Sequence, residues 1–389
     1  MEFRPITTDE VKDVARMMRL AFGDSGGMTE YYAELLGIDL YRALFDGERM
    51  VACVAFFDDA HQFGSRTIST WGITCVGVDP AVRGRGISGK LIRETLKEAA
   101  AADPAMLSLY ASAPAVYRKM GFERAGMTLA YKARTFQMTS IEPVKGQFDI
   151  VDPKASKTKE LLARIRSRWL PLTAGPLVRG NAIWDCLLQP YEKPTEVYVW
   201  YDETGEPGGY IILHHKKQDI EIADYCAPTG KAATAILDFV GGFRAVYGQL
   251  TWNGALVDPM VLAMNDRWWD AIRYEPWFCR IVDVRKALSE RGYAKGVTGN
   301  LRLAIEDPVL EQNNGTFVVE VADKTASVDD ATDTDRSLRL TVQSLVPMLT
   351  GLVSASRLRA MGCLDGPQDA IEFADLAFSG PTPWMEESF

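Results

Sequence analysis

One stretch of the sequence limits the possible folds more than any other. An apolar, β-branched segment from Thr67 to Val78 runs into a turn rich in glycine and arginine, and helical spacing of apolar residues follows from about Ser88 to Ala102. A strand, a tight turn and a helix in this order are typical of an α/β unit. The backbone N–H groups at such a helix N-terminus form an anion site that suits a pyrophosphate.

The turn differs from the two common nucleotide-binding loops. It contains no Gly-Lys-Ser/Thr sequence, which excludes a Walker loop, and it lacks the spacing and the later acidic residue of a Rossmann fingerprint. Gly84, Gly86 and Gly89 let the backbone approach phosphate groups closely. We expect at least one of Arg83 and Arg85 to face phosphate; the alternative is that both are solvated surface charges.

Alternating helix and strand signals extend this motif into a mixed α/β unit of about 135 residues. A capping box of Thr7 and Glu10 predicts the start of the first helix. The expected helices cover residues 11–22, 30–36, 88–102 and, as one or two turns, 115–120. The expected strands cover residues 41–45, 50–57, 67–78, 106–111 and 125–133, with a turn at 46–47 between the first two.

The rest of the chain divides into a linker at 140–153 and two further units. The second unit has the order of the first, which suggests a diverged internal repeat, with helices at 159–169 and 231–247 and strands at 196–201, 209–215, 220–225 and 249–252. The third has helices at 284–291 and 342–350, paired strands at 299–307 and 315–322, an acidic turn at 326–335, a strand at 337–341 and an irregular end from 373. The expected domains are therefore 1–138, 150–284 and 285–389.

Composition narrows the classes of function. The chain has 389 residues and a net charge of −9, which argues against nucleic-acid binding and permits cationic substrates. No window of about 18 apolar residues exists, so we expect no membrane span. The six cysteines are scattered without a Cys-x-x-Cys pair, which is typical of reduced thiols in a cytoplasmic protein. The adjacent His214 and His215 point to opposite faces of a strand, so we expect no metal site.

Two motifs carry a resemblance to a known superfamily. Arg83-x-x-Gly86-x-Ser88 resembles the Arg/Gln-x-x-Gly-x-Gly/Ala signature of the GNAT acetyltransferases, although Ser88 departs from its last position. Downstream, the stretch 107–112 followed by Tyr117-Arg118-Lys119-Met120-Gly121-Phe122 resembles the second cofactor-side motif of that superfamily. The resemblance implies acetyl-CoA as co-substrate.

The layout of the whole chain resembles one family of that superfamily, the Eis (enhanced intracellular survival) N-acetyltransferases. Residues 277–293 are similar to that family's junction into a sterol-carrier-protein-like domain, and the chain ends in Phe389 after an aromatic-rich tail. The implied fold is α/β, with an active N-terminal GNAT domain, a degenerate central GNAT domain and a sterol-carrier-protein-like C-terminal domain. The implied protein is a homohexamer that acetylates amines of aminoglycosides and, in some members, protein lysines.

The family also implies roles for particular residues. Tyr117 is implied as the proton donor and the terminal carboxylate of Phe389 as the proton acceptor. At position 113 the family pattern leads us to expect an acidic residue, and Ala113 departs from it. The implied acetyl-CoA contacts are Val76, Gly77, Val78, Arg83, Gly84, Arg85, Gly86, Ile87, Ser88, Gly89, Ser112 and Ala113.

The chemistry of amide formation accounts for these roles. A protonated amine has to lose a proton to a base before it attacks a thioester, and the CoA thiolate leaves more easily when an acid protonates it. A free α-carboxylate has a pKa of about 3.5, and burial would raise that pKa and make it a better base. Backbone N–H groups directed at the thioester carbonyl stabilise the oxyanion.

The acceptor is less well defined by the sequence. Asp24 and Glu30 are candidates to attract a cationic substrate, and Phe22, Tyr31 and Tyr32 are candidates to contact its ammonium groups, but a helix end and a core stripe explain these residues equally well. One alternative function is acetylation of protein lysines or small polyamines. Another is lipid binding with a vestigial transferase domain, because the C-terminal domain resembles lipid carriers.

Overall fold

The structure is a computed structural model that describes residues 1–23, 27–216, 218–332 and 335–387. Helices and strands alternate through the first third of the chain. In order they are β1 (Glu2–Pro5), α1 (Val11–Phe22), α2 (Met28–Leu36), β2 (Tyr41–Asp46), β3 (Arg49–Phe63), β4 (Arg66–Val78), α3 (Ile87–Ala102), β5 (Met106–Tyr110), α4 (Pro114–Arg118) and β6 (Glu123–Arg134).

The middle third repeats this alternation and adds one element, β8, before its first hairpin. The elements are β7 (Gln147–Val151), α5 (Ser156–Ser167), β8 (Ala174–Leu177), α6 (Asn181–Leu188), β9 (Thr195–Tyr201), β10 (Pro207–His215), β11 (Asp219–Cys226), α7 (Gly230–Gly241), β12 (Gln249–Gly254), α8 (Pro259–Ala263) and β13 (Trp269–Ile281).

The last third forms a separate sheet in the order β16-β15-β14-β17-β18, with helices packed on it. Its elements are α9 (Val284–Glu290), β14 (Gly299–Glu306), β15 (Gly315–Ala322), β16 (Thr325–Ala331), β17 (Leu338–Thr341), α10 (Val342–Thr350), α11 (Ala355–Ala360), β18 (Leu364–Asp365) and α12 (Gln368–Ala377). Helix α10 is apolar and almost wholly buried, so it forms the centre of this core.

The first two thirds of the chain share one continuous sheet because they exchange their last strands. The sheet runs β1-β2-β3-β4-β5-β13-β6-β12-β11-β10-β9-β7, with β8 paired to β3. Strand β13 therefore completes the half built by β1–β5, and β6 completes the half built by β7 and β9–β12. Each half of the sheet therefore contains one strand from the other segment of the chain. We expect the two halves to fold as one unit for this reason.

Helix α1 shows how the sequence positions these elements. The Glu10 carboxylate accepts a hydrogen bond from the Thr7 amide at 2.8 Å, which confirms the expected capping box. Hydrogen bonds from Arg4 lower the pKa of Glu10 to about 2. The buried face of α1 lies against β4, where a Cβ on Gly77 would come within 2.6 Å of Met17. Only glycine at this position lets the helix approach the strand so closely.

All the helices and strands expected in the first 135 residues are present, but the strand expected at 50–57 continues to Phe63, and β1 was not expected. Three expectations for the later chain are wrong. The expected linker at 140–153 contains β7, the expected acidic turn at 326–335 contains β16, and α12 extends to Ala377 in the segment expected to be irregular. Strands β7 and β16 lie at sheet edges, where many side chains are exposed and polar and the apolar pattern of a strand is weak.

Among the described residues, no helix combines the length and the apolar character needed to cross a membrane. The six cysteines lie among the described residues and form no disulfide bond there.

Candidate active site

Strands β4 and β5 separate and leave a wedge in the sheet. Their parallel ladder begins at Thr70–Met106 and ends at Gly72–Ser108, whereas β4 continues to Val78. A bulge accompanies the separation, because Cys75 has a positive φ of 53° and the register with β3 shifts between Cys53 and Ala55. The wedge exposes backbone groups of β4 with which an extended molecule can form hydrogen bonds.

The glycine- and arginine-rich turn closes the wide end of this wedge. Gly84 and Gly86 have φ values of +78° and +75°, and no atom lies within 4 Å of a Cβ placed on either residue. Glycine is therefore required there by backbone conformation rather than by space. Arg83 and Arg85 are exposed, and Gly86 caps the N-terminus of α3. The first amides of α3 have no partner within the helix and are suited to bind an anion.

Asp79 anchors the start of the turn, and the sequence analysis missed it. Its buried carboxylate accepts hydrogen bonds from Arg49 at 2.9 Å, from the Ala81 amide at 2.9 Å and from Arg16 at 3.1 Å. The Arg49 guanidinium, the Ala81 amide and Arg16 together lower the pKa of Asp79 to about 2. The signal was present as an Asp-Pro pair directly after a strand, which is typical of a capped helical turn.

Tyr117 lies on α4, the short helix that follows β5. Its side chain is 7% exposed and packs edge-to-face on Phe122, with 5.5 Å between the ring centroids. It shares a hydrophobic cluster with Ile87 and Leu91 of α3. Burial raises the pKa of Tyr117 to about 12, so the hydroxyl is protonated at neutral pH. Ser112 and Ala113 are exposed and lie between β5 and α4.

Comparison with known families identifies this arrangement. Two models described as acetyltransferase (GNAT) domains match residues 2–125 and 175–281, and a model of the sterol carrier protein domain matches residues 284–386. This chain is a GNAT N-acetyltransferase. The expected fold class, with two GNAT domains followed by a sterol-carrier-protein-like domain, is confirmed.

Individual relatives are similar to this acetyltransferase over most or all of its length. An uncharacterized N-acetyltransferase of Streptomyces coelicolor is 24% identical over 348 residues, which cover 84% of this chain and 82% of the relative. A GCN5-related N-acetyltransferase from Anabaena variabilis superposes with a TM-score of 0.93 at 25% identity, with both chains fully covered. Eis1 from Mycobacterium abscessus gives a TM-score of 0.81 at 20% identity, also with both chains fully covered.

The second GNAT domain of the acetyltransferase repeats the topology without the same side chains. Strands β11 and β12 are parallel like β4 and β5, but the turn from β11 into α7 is short and carries no arginine. Helices α4 and α8 both begin with proline, at Pro114 and Pro259, and Leu262 stands where the first domain has Tyr117. The second domain therefore has no counterpart of the arginine-containing turn or of Tyr117, the candidate site residues of the first domain.

The C-terminal tail of the acetyltransferase is buried between the two GNAT domains. The Met127 amide donates to the Pro383 carbonyl at 3.1 Å, the Trp384 amide donates to Ala174 at 3.0 Å, and the Tyr110 hydroxyl donates to Met385 at 2.8 Å. A Cβ on Gly126 would lie 2.4 Å from the Pro383 carbonyl oxygen, so this glycine makes room for the tail. The tail then leads towards Ser388 and Phe389, which lie outside the described residues.

The residues suggested for the acceptor are only partly brought together. The Tyr31 hydroxyl donates to the Gln189 carbonyl at 2.9 Å, and the Tyr32 hydroxyl accepts from the Tyr191 amide at 3.3 Å, so both join α2 to the second domain. Phe22 and Glu30 are exposed. Asp24 lies outside the described residues.

Neither adjacent histidine forms a metal site with its neighbours. His215 contacts the Tyr247 hydroxyl at 2.8 Å and Glu196 at 2.9 Å, while His214 is buried on the opposite face of β10. Within the part of the chain that the structure describes, no group of three or more His, Cys, Asp or Glu side chains is arranged to hold a metal ion.

Proposed function

We propose that this acetyltransferase transfers the acetyl group of acetyl-CoA to a primary amine by direct attack of the amine on the thioester. The observation that carries the proposal is the wedge between β4 and β5, with a glycine-rich turn at the N-terminus of α3 after β4 and the buried side chain of Tyr117 on the helix after β5. In the reaction a C–N bond forms and the C–S bond breaks. One proton leaves the amine, and one proton reaches the departing sulfur.

The cofactor is bound mainly by backbone groups. The amides of the turn at Gly84, Gly86, Ile87, Ser88 and Gly89 bind the pyrophosphate, and the exposed Arg83 and Arg85 add positive charge beside it. The pantetheine arm pairs with the backbone of Val76, Gly77 and Val78 along the open edge of β4. Ser112 and Ala113 contact it from the end of β5.

Tyr117 acts as the acid. Because its pKa is about 12, it remains protonated at neutral pH and donates a hydrogen bond to the leaving sulfur. A thiol with a pKa of about 8.5, such as that of CoA by analogy with cysteine, gives a thiolate that is a moderate leaving group. Stabilising the negative charge on the sulfur as it forms lowers the barrier to thioester cleavage.

The α-carboxylate of Phe389 acts as the base. The described tail supports this role, because it is buried and held by backbone contacts up to Met385 and by ion pairs at Glu386 and Glu387.

The acceptor that we propose is an amine of an aminoglycoside or a similar polyamine. Its positive charge suits a chain with a net charge of −9 whose tail region contains several buried carboxylates. We also propose that the protein assembles as a homohexamer. Exposed apolar side chains near the second domain, among them Leu262, Ile272 and Tyr274, are suited to such contacts.

The experiment is acetyl-CoA-dependent release of free thiol with aminoglycosides, polyamines and lysine peptides as acceptors. Tyr117→Phe should reduce kcat by about a hundredfold or more. Tyr293→Phe, which removes the hydroxyl of another buried tyrosine far from the wedge, is the matched control and should leave kcat unchanged. One residue appended after Phe389 should also abolish turnover.

Other outcomes separate the alternatives. Turnover that survives the appended residue would remove the carboxylate from the mechanism and leave the transferase. Turnover confined to peptides would assign the enzyme to protein lysines. Absence of both turnover and acetyl-CoA binding, together with copurified lipid, would favour the lipid-binding function.

A further inference from the structure

Two buried carboxylates beside the C-terminal tail each have one oxygen without a hydrogen-bond partner among the described residues. Oδ1 of Asp59 accepts from the Gly180 amide at 2.7 Å, and Oε1 of Glu387 accepts from Nε of Arg179 at 2.5 Å. Oδ2 of Asp59 and Oε2 of Glu387 remain unpartnered. Asp59 is 8% exposed and the Glu387 side chain 9% exposed. A buried oxygen of this kind is costly to leave unsatisfied.

The two carboxylates lie close to each other. The groups that bind them, the Arg179 guanidinium and the Gly180 amide, belong to consecutive residues at the start of α6. The pKa of Asp59 is raised to about 7 by burial, and the charge of Glu387 contributes to the increase. The pair is therefore one anionic feature rather than two independent ones.

The surrounding charges do not neutralise this pair. Arg179 also binds Asp224 at 2.5 Å and Glu386 at 3.0 Å, and Arg166 binds Glu386 at 3.1 Å. The two guanidinium groups thus form ion pairs with three carboxylates, whereas the fourth, Asp59, accepts from the Gly180 amide. Burial lowers the pKa of the nearby His61 to about 4, so this histidine is neutral near pH 7 and adds no positive charge. Buried carboxylates are stable only when a cation or a proton compensates them.

The cluster lies next to the narrow end of the wedge. Asp59 and His61 share a face of β3, because they are two residues apart on one strand. Nε2 of His61 is 2.9 Å from the hydroxyl of Ser108, the residue at which the β4–β5 ladder ends. Two residues further along β5, Tyr110 holds the tail. His61 therefore connects the strand that carries Asp59 to the point at which β4 and β5 separate, and Tyr110 connects the tail that carries Glu387 to β5.

We propose that Asp59 and Glu387 bind a second ammonium group of the acceptor, so that the enzyme selects diamines and polyamines over monoamines. This inference rests on the proposed acetylation of amines. An ammonium group offers three N–H donors, which suit two carboxylate oxygens that both lack a donor. The reacting amine has to be neutral when it attacks, whereas the second nitrogen keeps its charge and fixes the orientation of the substrate.

The test compares α,ω-diamines of three to six carbons with n-alkylamines of the same length. In Asp59→Asn and Glu387→Gln, kcat/KM for the diamines should fall about tenfold to a hundredfold, mainly through KM, because one charged contact is lost. In Asp59→Asn, which leaves the ion pair between Glu387 and Arg179 intact, the values for the monoamines should stay within about twofold of the wild type. Asp58→Asn, the same change at the exposed neighbouring residue, is the matched control and should alter neither.

The outcomes distinguish this inference from the proposed function. An unchanged ratio of diamine to monoamine turnover in both variants overturns the inference and leaves the enzyme an amine acetyltransferase. Equal losses for both substrate classes assign the two residues a structural role and overturn it as well. If the wild type acetylates no amine, calorimetric titration with the diamines decides. Binding that is lost in Asp59→Asn and Glu387→Gln supports the cation subsite, and no binding, or equal binding in all variants, rejects it.

Discussion

Arg280 and Asp307 form an ion pair in which neither side chain is exposed, at the junction between the first GNAT domain and the sterol carrier protein domain. The guanidinium donates to both carboxylate oxygens at 2.7 Å, and its Nε donates to the Met120 carbonyl at 2.7 Å. Met120 follows Tyr117 by three residues. The pair therefore connects the C-terminal domain to the loop that positions the proposed acid.

Removing one partner of this pair should be strongly destabilising. In Asp307→Ala the Arg280 guanidinium stays buried without its counter-ion, and we expect a loss of about 3–5 kcal/mol in the free energy of unfolding. Denaturant titration measures this loss. Asp365→Ala, which breaks the exposed pair with Arg339, is the matched control and should have little effect. Equal stability of the two variants would contradict the structural role of the buried pair.

The turn should be sensitive to a single methyl group at Gly86. Alanine at a φ of +75° costs about 1 kcal/mol even though there is space for its Cβ, and relief of that strain moves the amides at the start of α3. We expect the Kd for acetyl-CoA to rise at least about tenfold in Gly86→Ala. Gly205→Ala imposes the same strain at a φ of +85° in the hairpin between β9 and β10 and should leave the Kd unchanged.

Local patterns in the sequence predicted the elements of the first GNAT domain well, because each strand and helix there has its own apolar period and turn signals. They did not predict the exchange of β6 and β13. Strand pairing is set by contacts between residues far apart in the chain. No strand was expected at 269–281, because the first half of β13 is exposed, its second half is buried and Pro276 lies between them, so no alternating pattern marks it.

In the candidate site, too, only the residues that lie in local sequence motifs were predicted. The turn and Tyr117 each belong to a motif of consecutive residues, and the resemblance to a known superfamily indicated them. The Asp59–Glu387 pair joins residues that are more than 300 positions apart, and nothing local marks either as buried. Gly126 and Gly175 likewise have no local role, because both make room for a tail that is distant in the sequence.

Gly126→Ala should displace the tail without changing the cofactor site. The new Cβ would lie 2.4 Å from the Pro383 carbonyl oxygen, a backbone atom that cannot move without moving the tail. We expect hydrogen exchange of the Trp384 amide to become faster and turnover to fall, while acetyl-CoA affinity is retained. Gly230→Ala is the control, since no atom lies within 4 Å of its added Cβ and its backbone needs no positive φ. Retained turnover in Gly126→Ala would separate catalysis from the seating of the tail.

Asp59 should make the stability of the protein depend on pH. Its pKa of about 7 exceeds that of an unfolded aspartate, mainly through burial, with Glu387 and Asp58 adding to the increase and the Gly180 amide and Arg179 opposing it. Between about pH 4 and pH 7 the folded state therefore binds more protons at this site than the unfolded state. The contribution of Asp59 to stability is fully present at about pH 4 and is lost as the pH rises to 7.

The difference between the wild type and Asp59→Asn isolates this contribution. The free energy of unfolding of the variant, minus that of the wild type, should rise by on the order of 3–4 kcal/mol from about pH 4 to pH 8. Denaturant titrations at several pH values measure it, and Asp58→Asn, which removes only a minor contribution to the raised pKa of Asp59, should change the curve far less than Asp59→Asn. A diamine added at pH 8 should stabilise the wild type more than Asp59→Asn, because its ammonium group compensates the ionised carboxylate. Parallel curves for wild type and Asp59→Asn would show that Asp59 carries the same charge in the folded and unfolded states.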